Sequence, residues 1–222
     1  MDDLIWRVHD YPKEVVDAVV YSIPEHVILN EKSTFCDPCM GGGQFLLGIL
    51  NRCMSVGQRK EQILPRLYGV ERSIFYLNYA KWKNKLEGAN MVQCSNIEEW
   101  EPQMKFDAIV GNPPYSDMKK HNGAGGGGSS RNLDNLFLEK SMEKGSYVSL
   151  IMRSKHFLKE SSVFRRRLFG SGKVVSISYV SEEFFPTIQN TETCIVTCSD
   201  SHSGPAKITY KSGEVREKVL TP

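Results

Sequence analysis

The sequence predicts an α/β domain built on a mostly parallel sheet with helices on both faces. Strand-like runs alternate with helix-period segments along the whole chain, and no internal repeat interrupts them. A run of glycines also separates the first strand from the helix that follows it, a connection suited to nucleotide-type ligands. At 222 residues the chain is long enough for one such domain to bury a sizeable core without disulfides.

Composition narrows the class further. With 40% hydrophobic and 24% charged residues the chain reads as globular. Its start, "MDDLIWRVHD", is acidic and too short in apolar length for a signal peptide or membrane span, so a cytoplasmic setting and no membrane partner are expected. The six cysteines are scattered through apparent strands and helices and are expected as free thiols. A formal net charge of +2 permits a local basic surface but does not by itself point to a polyanion.

The elements follow in order. "YPKEVVDAVVYSIP" places Pro12 at a first helical position and Val15, Val16, Val19 and Val20 at helical spacing. "KSTFCDP" is the first strand, and "GGGQFLLGILNRCM" turns through glycines into an apolar helix. "RLYGVER" is the second strand, ending at Glu71. The helix after it begins at Ser73 with Gly88 as its expected stop. "NMVQCSNIEEW" and "KFDAIVGNPPY" are strands three and four. A Gly- and Ser-rich flexible loop, "SDMKKHNGAGGGGSSRN", comes next. "LDNLFLEKSMEKG" is a helix with Leu133, Leu136, Phe137 and Lys140 on one side, and it leads into the fifth strand "SYVSLIMRS". "FLKESSVFRRRLFGSG" reads as one helix, followed by strands "KVVSISYV" and "TETCIVTCS". The connection between these last two is too short for a helical crossover, so an antiparallel pair is expected. The count is therefore seven strands with one antiparallel, and a terminal hairpin about Ser212 and Gly213.

Two turns carry chemistry. In "FCDPCMGGGQF", Gly41, Gly42 and Gly43 let a ligand approach the backbone. The spacing departs from the dinucleotide pattern G-x-G-x-x-G because Leu46 stands three residues after Gly43, which argues against NAD. Glu71, at the end of strand two, suits acceptance from paired ribose hydroxyls. In "DAIVGNPPYSDM" two prolines stop a strand abruptly and hold Asn112 at its end.

Together these turns resemble a known family. "DPCMGGGQF" is similar to the D-P-x-x-G-x-G-x-F pattern, and "NPPY" to the catalytic [D/N/S]-P-P-[Y/F/W] pattern, of the S-adenosylmethionine-dependent N6-adenine DNA methyltransferases in which the cofactor motif comes first. The resemblance runs from about Tyr11 to Cys198. It implies a Rossmann-like class I methyltransferase fold, S-adenosyl-L-methionine as cofactor, and an adenine in DNA as target. It implies that Asp37, Pro38, Gly41 and Gly43 line the methionine part of the cofactor, that Phe45 packs nearby, that Glu71 binds the ribose, and that Tyr11 belongs to an entry motif over the methionine end. Where the family usually has an aspartate toward the cofactor adenine, this chain has Asn96, followed by Ile97 as a packing residue.

The implied catalytic set is Asn112, Pro113, Pro114 and Tyr115, with Asn112 also bordering the cofactor. The Asn112 side-chain oxygen and the Pro113 carbonyl would accept the two hydrogens of the target amino group, and Tyr115 would stack on a base taken out of the duplex. Lys119 and Lys120, just after NPPY, are expected nucleic-acid contacts. Phe185, in "SEEFFPT", is either a border of the target-base pocket or a core residue. Arg165, Arg166 and Arg167 are a weaker phosphate candidate. "CDPC" is a C-x-x-C that straddles the glycine turn, and Cys194 and Cys198 lie on a strand-like segment at a spacing that suits no common zinc finger, so core thiols are expected at both.

Residues 1–199 are expected to form the catalytic domain, and residues 200–222 a hairpin or the start of a target-recognition region. Such a region, or a specificity subunit, is an expected partner. Two alternatives stay open: a protein-glutamine or RNA guanine-N2 methyltransferase, and a noncatalytic nucleic-acid-binding subunit.

Overall fold

The computed structural model describes residues 11–115, 132–185 and 192–222. Its strands are β1 (Phe35–Asp37), β2 (Leu67–Glu71), β3 (Asn90–Gln93), β4 (Phe106–Gly111), β5 (Gly145–Arg153), β6 (Val174–Val180), β7 (Thr193–Ser199), β8 (Ala206–Thr209) and β9 (Val215–Lys218). They form one sheet in the order β3-β2-β1-β4-β5-β7-β6-β8-β9. The pairs from β3 through β5 are parallel, β7 runs against both β5 and β6, β8 is parallel to β6, and β9 is antiparallel to β8.

The expected count of seven strands with one reversed is therefore corrected to nine with two reversed. The hairpin forms where expected, turning at Gly213 with φ of 81°. It joins the sheet because β6 offers a free edge on which Lys207, Ile208 and Thr209 pair with Ser176, Ile177 and Ser178. Ala206 is buried there, and Ile208 packs against the same apolar cluster.

Both faces of the sheet are covered. On one, α1 (Lys13–Val20) buries Val15, Val19 and Val20, α3 (Gln44–Ser55) buries Phe45, Leu46, Ile49 and Leu50, and α5 (Ile74–Trp82) buries Leu77 and Ala80. The short helices α2 (Glu25–Leu29) and α4 (Lys60–Ile63) add Ile28 and Ile63. On the other face lie α6 (Leu133–Lys144) with Phe137 and Leu138, and α8 (Val163–Gly170) with Leu168 and Phe169. A strand buried on both faces reads as a continuous apolar run, and β5 shows it: Tyr147 and Ile151 point to one cluster, Val148, Leu150 and Met152 to the other. No helix among the described residues is long and apolar enough to cross a membrane.

Two helix expectations are corrected. The helix after β2 stops at Trp82, not Gly88, because the next residues have tertiary partners: Asn84 Nδ2 donates to the Gly42 carbonyl (2.6 Å), and Leu86 is fully buried. The single helix expected after β5 is two, α7 (Lys155–Leu158) and α8, because the Ser162 hydroxyl accepts from the Arg165 amide and starts a new helix.

The order reverses between β1 and β4, and a parallel sheet opens a crevice at the carboxyl ends of its strands where this happens. Asp37, Glu71, Gly111 and Arg153 are the last residues of β1, β2, β4 and β5. Ile109 of β4 is fully buried at the centre of this arrangement. Ile109→Ala is expected to cost about 2–5 kcal/mol in urea unfolding, whereas Val215→Ala on exposed β9 should stay within about 0.5 kcal/mol; similar losses for both would contradict the core assignment.

Candidate active site

At these strand ends lies a cleft of about 520 Å³, lined by Pro38, Cys39, Glu71, Arg72, Asn96, Ile97, Asn112 and Pro114, with Leu133, Leu136 and Phe137 of α6 along one wall. The glycine turn follows Pro38 and Cys39 of this lining without entering it. Gly43 takes φ of 80° and caps the start of α3, and a Cβ there would lie 2.7 Å from Leu86 Cδ1, so both conformation and space call for glycine. The turn is tied to β2 on two sides: the Met40 amide donates to the Val70 carbonyl (3.0 Å), and the Gly41 amide donates to Glu71 Oε2 (3.0 Å). Glu71 Oε1 accepts from the Ser73 amide (2.8 Å). A carboxylate oxygen can accept more than one bond, so Glu71 keeps acceptor capacity toward the cleft.

Asp37 is fully buried. Its Oδ1 accepts from the Cys39 amide (3.0 Å), while Oδ2 is buried with no hydrogen-bond partner among the described residues. Burial pushes its carboxyl up to about 7, with Glu71 adding to the rise and bonds from Cys39 opposing it.

Asn112 follows β4. Its Nδ2 donates to the Tyr11 hydroxyl (3.1 Å), which directs Oδ1 the other way, and Oδ1 is buried without a partner among the described residues. Tyr11 is itself held. Its amide donates to Gln44 Oε1 (3.0 Å), and its ring lies against Phe45 with centroids 5.2 Å apart and edge-on to Phe185 at 6.3 Å. Burial raises the Tyr11 hydroxyl far above its ordinary pKa, so it stays protonated at neutral pH. Pro113 is buried and Pro114 exposed. The Tyr115 hydroxyl is buried and unpartnered among the described residues.

Of the expected residues, Pro38, Glu71, Asn96, Ile97, Asn112 and Pro114 line the cleft, whereas Tyr11, Asp37, Gly41, Gly43, Phe45, Pro113 and Tyr115 do not; Gly41 bonds to the lining Glu71, and Tyr11, packed on Phe45, accepts from the lining Asn112. Asn96 is engaged locally: Oδ1 accepts from the Glu98 amide (3.1 Å) and Nδ2 donates to Glu99 Oε1 (3.3 Å). For Phe185, 6% exposed and packed in the apolar cluster with Tyr11, core packing is the alternative that describes it, not an open nucleic-acid surface. Lys119 and Lys120 lie outside the described residues, as does the glycine run Gly125 to Gly128. The arginine cluster is partly occupied, with Arg165 Nε on the Phe157 carbonyl and Arg167 on Glu139. No three His, Cys, Asp or Glu side chains among the described residues group as metal ligands.

Sequence reading missed the α6 wall as part of the site, although it placed Leu133, Leu136 and Phe137 on one helix side. An apolar stripe beginning soon after NPPY was the available signal. It also missed a buried cluster at the far side of the turn. There Asp134, with no exposure, meets Arg153 and His156, and Arg153 reaches the Tyr115 carbonyl.

Comparison with known proteins shows the family and the fold. The model of the Eco57I restriction-modification methylase family matches residues 57–185, more than half of the chain and inclusive of Glu71, Asn96 and the NPPY turn. No curated protein matches. Among solved structures, a class I S-adenosylmethionine-dependent methyltransferase from Listeria monocytogenes superposes with a TM-score of 0.62 at 13% identity, covering 86% of this chain and 61% of its own. A modification subunit of a type I restriction enzyme from Vibrio vulnificus gives 0.65 at 15%, covering 94% and 49%. A type I restriction-modification methyltransferase subunit from Streptococcus thermophilus gives 0.69 at 15%, covering 94% and 49%. The chain therefore spans about half to three-fifths of the length of these relatives. The fold is that of the class I methyltransferases, and the chain belongs to the Eco57I restriction-modification methylase family, whose cofactor is S-adenosylmethionine.

Proposed function

We propose that this domain transfers a methyl group from S-adenosylmethionine to the exocyclic amino group of an adenine in DNA. The observation that carries the reading is Asn112, whose side-chain oxygen is buried without a partner among the described residues at the end of β4 beside the cleft, followed by two prolines and Tyr115.

The residues fit the cofactor in chemistry. Asp37 Oδ2, a buried acceptor without a partner among the described residues, suits the ammonium of the methionine moiety; Glu71 suits the ribose hydroxyls; and Ile97, Leu133, Leu136 and Phe137 offer apolar surface to a purine. When bound, S-adenosylmethionine supplies an electrophilic methyl on a sulfonium. The rest falls to the chain. An adenine amino nitrogen has its lone pair delocalised into the ring. Acceptance of its hydrogens by Asn112 Oδ1 and the Pro113 carbonyl would favour a pyramidal nitrogen and stabilise the positive charge that builds as it alkylates. The prolines restrict the backbone so that both acceptors keep their places. Tyr115 offers a ring on which the extruded base would stack. In this reading Lys119 and Lys120 contact the DNA backbone, and choice of target sequence falls to a further domain or a specificity subunit.

Two sets of outcomes are expected, the first on methyl transfer. Asn112→Ala should lower turnover at least about 10²-fold with cofactor affinity nearly intact. Mass spectrometry after incubation with isotopically labelled cofactor and DNA, RNA or protein should show N6-methyladenine in DNA. Methylated glutamine or guanine would replace this assignment, and cofactor binding without transfer to any of them would make the chain a noncatalytic subunit. The second concerns Asp37. Its folded pKa of about 7 stands above the unfolded value of roughly 3.9, so between these the folded state binds the extra proton and stability grows as pH falls. Asp37→Asn should therefore melt a few degrees above the parent at pH 8, with the gap narrowing below pH 7 and closing near pH 4. The same variant should lose roughly tenfold or more in cofactor affinity by calorimetry at pH 8. An affinity equal to the parent's would remove Asp37 from the binding set.

A further inference from the structure

Arg153, at the end of β5, makes contacts that the transfer chemistry does not require. Its Nη2 donates to the Tyr115 carbonyl, to Asn132 Oδ1 (3.0 Å) and to Asp134 Oδ1 (2.7 Å), while its Nε donates to Asp134 Oδ2 (2.9 Å). Its guanidinium also lies 5.5 Å from the centre of the Tyr115 ring. Asp134 is fully buried and takes a further bond from His156 Nε2 (2.8 Å). Burial alone would disfavour this carboxylate, but the bonds from His156 and Arg153 hold its pKa below the usual range. A planar fork saturated on one side by a buried carboxylate has few ways to move.

Its two anchors belong to different parts of the site. Tyr115 ends the catalytic turn, whereas Asn132 and Asp134 open α6, the helix whose Leu133, Leu136 and Phe137 wall the cleft. We propose that Arg153, oriented by Asp134 and His156, is a positioning residue that locks the Tyr115 turn to α6, so that the ring offered to the target base and the wall of the cofactor cleft move as one body. The proposal rests on the methyltransferase reading for its effect on turnover, but not for its effect on the turn.

The test uses the double variant Arg153→Met with Asp134→Asn, which avoids leaving a single buried charge unpaired, and the single variant Arg153→Lys. Three measurements are made on the full chain: amide hydrogen exchange across the peptide containing Gly111 to Tyr115, calorimetric affinity for S-adenosylmethionine, and kcat and KM on DNA. The double variant is expected to exchange at least tenfold faster in that peptide, to bind cofactor within threefold of the parent, and to lose tenfold or more in kcat with little change in the KM for cofactor. Arg153→Lys should fall between, since an ammonium keeps the charge but lacks the fork. Unchanged exchange at the turn, or unchanged kcat in a folded double variant of an active parent, overturns the proposal. If the parent methylates no substrate, the functional reading fails by itself, and the exchange measurement alone decides whether Arg153 holds the turn. If the double variant does not fold, the exchange in Arg153→Lys decides it.

Discussion

The site depends on how closely β4 approaches β1. A Cβ on Gly111 would lie 2.8 Å from Asp37 Oδ1 and 3.1 Å from Cys39 Sγ, so a side chain at the end of β4 would displace the Asp37 carboxylate and the Cys39 thiol at the end of β1. The parallel pairing of Phe35 with Ala108 and of Cys36 with Ile109 brings the two ends together. The consequence is a juxtaposition of two acceptors of different kinds. One is a carboxylate whose burial disfavours its charge, and the other is an amide oxygen directed by the bond from Asn112 to Tyr11. Neither has a hydrogen-bond partner among the described residues, and leaving polar atoms buried and unmatched is costly to a fold unless something else matches them. That cost is a physical argument for a polar ligand here that does not depend on family membership.

Around this junction the chain builds two supports of different character. On the Tyr11 side the support is mostly apolar: Phe45 and Phe185 pack the ring, and single hydrogen bonds fix its amide and hydroxyl. On the Tyr115 side it is ionic and hydrogen-bonded. An apolar cluster tolerates small shifts of its members, whereas a forked ion pair constrains both distance and plane. The NPPY turn is thus gripped more rigidly at its carboxyl end than at its amino end.

Much of this was legible in the sequence where backbone geometry alone dictates the residue. Gly43 is needed by conformation and by close approach, and a proline pair stops a strand wherever it stands, so both turns could be found by reading along the chain. Strands β2, β4 and β5 were legible for a related reason: burial on two faces leaves apolar runs. What escaped depended on partners far away in sequence. The helix α5 ends early because Asn84 bonds to Gly42, 42 residues distant, and Arg153 meets Tyr115 across 38 residues. Asn96 kept its place beside the cleft, but its amide is occupied by the next two glutamates, a local competition that family resemblance does not display. Phe185 was ambiguous because an aromatic beside a proline reads the same whether it faces a ligand or a core.

The hairpin added beyond β7 changes what the sheet exposes at its border. Without it, β6 would end the sheet as a seven-residue strand with Val174, Ile177 and Tyr179 along it and free amides toward solvent, the kind of edge on which another chain can template. With it, the border among the described residues is β9, only four residues long and exposed throughout, reading Val-Arg-Glu-Lys. A short edge carrying both signs of charge is a poor template for strand addition. Among the described residues, the last two strands therefore replace a long apolar edge by a short charged one.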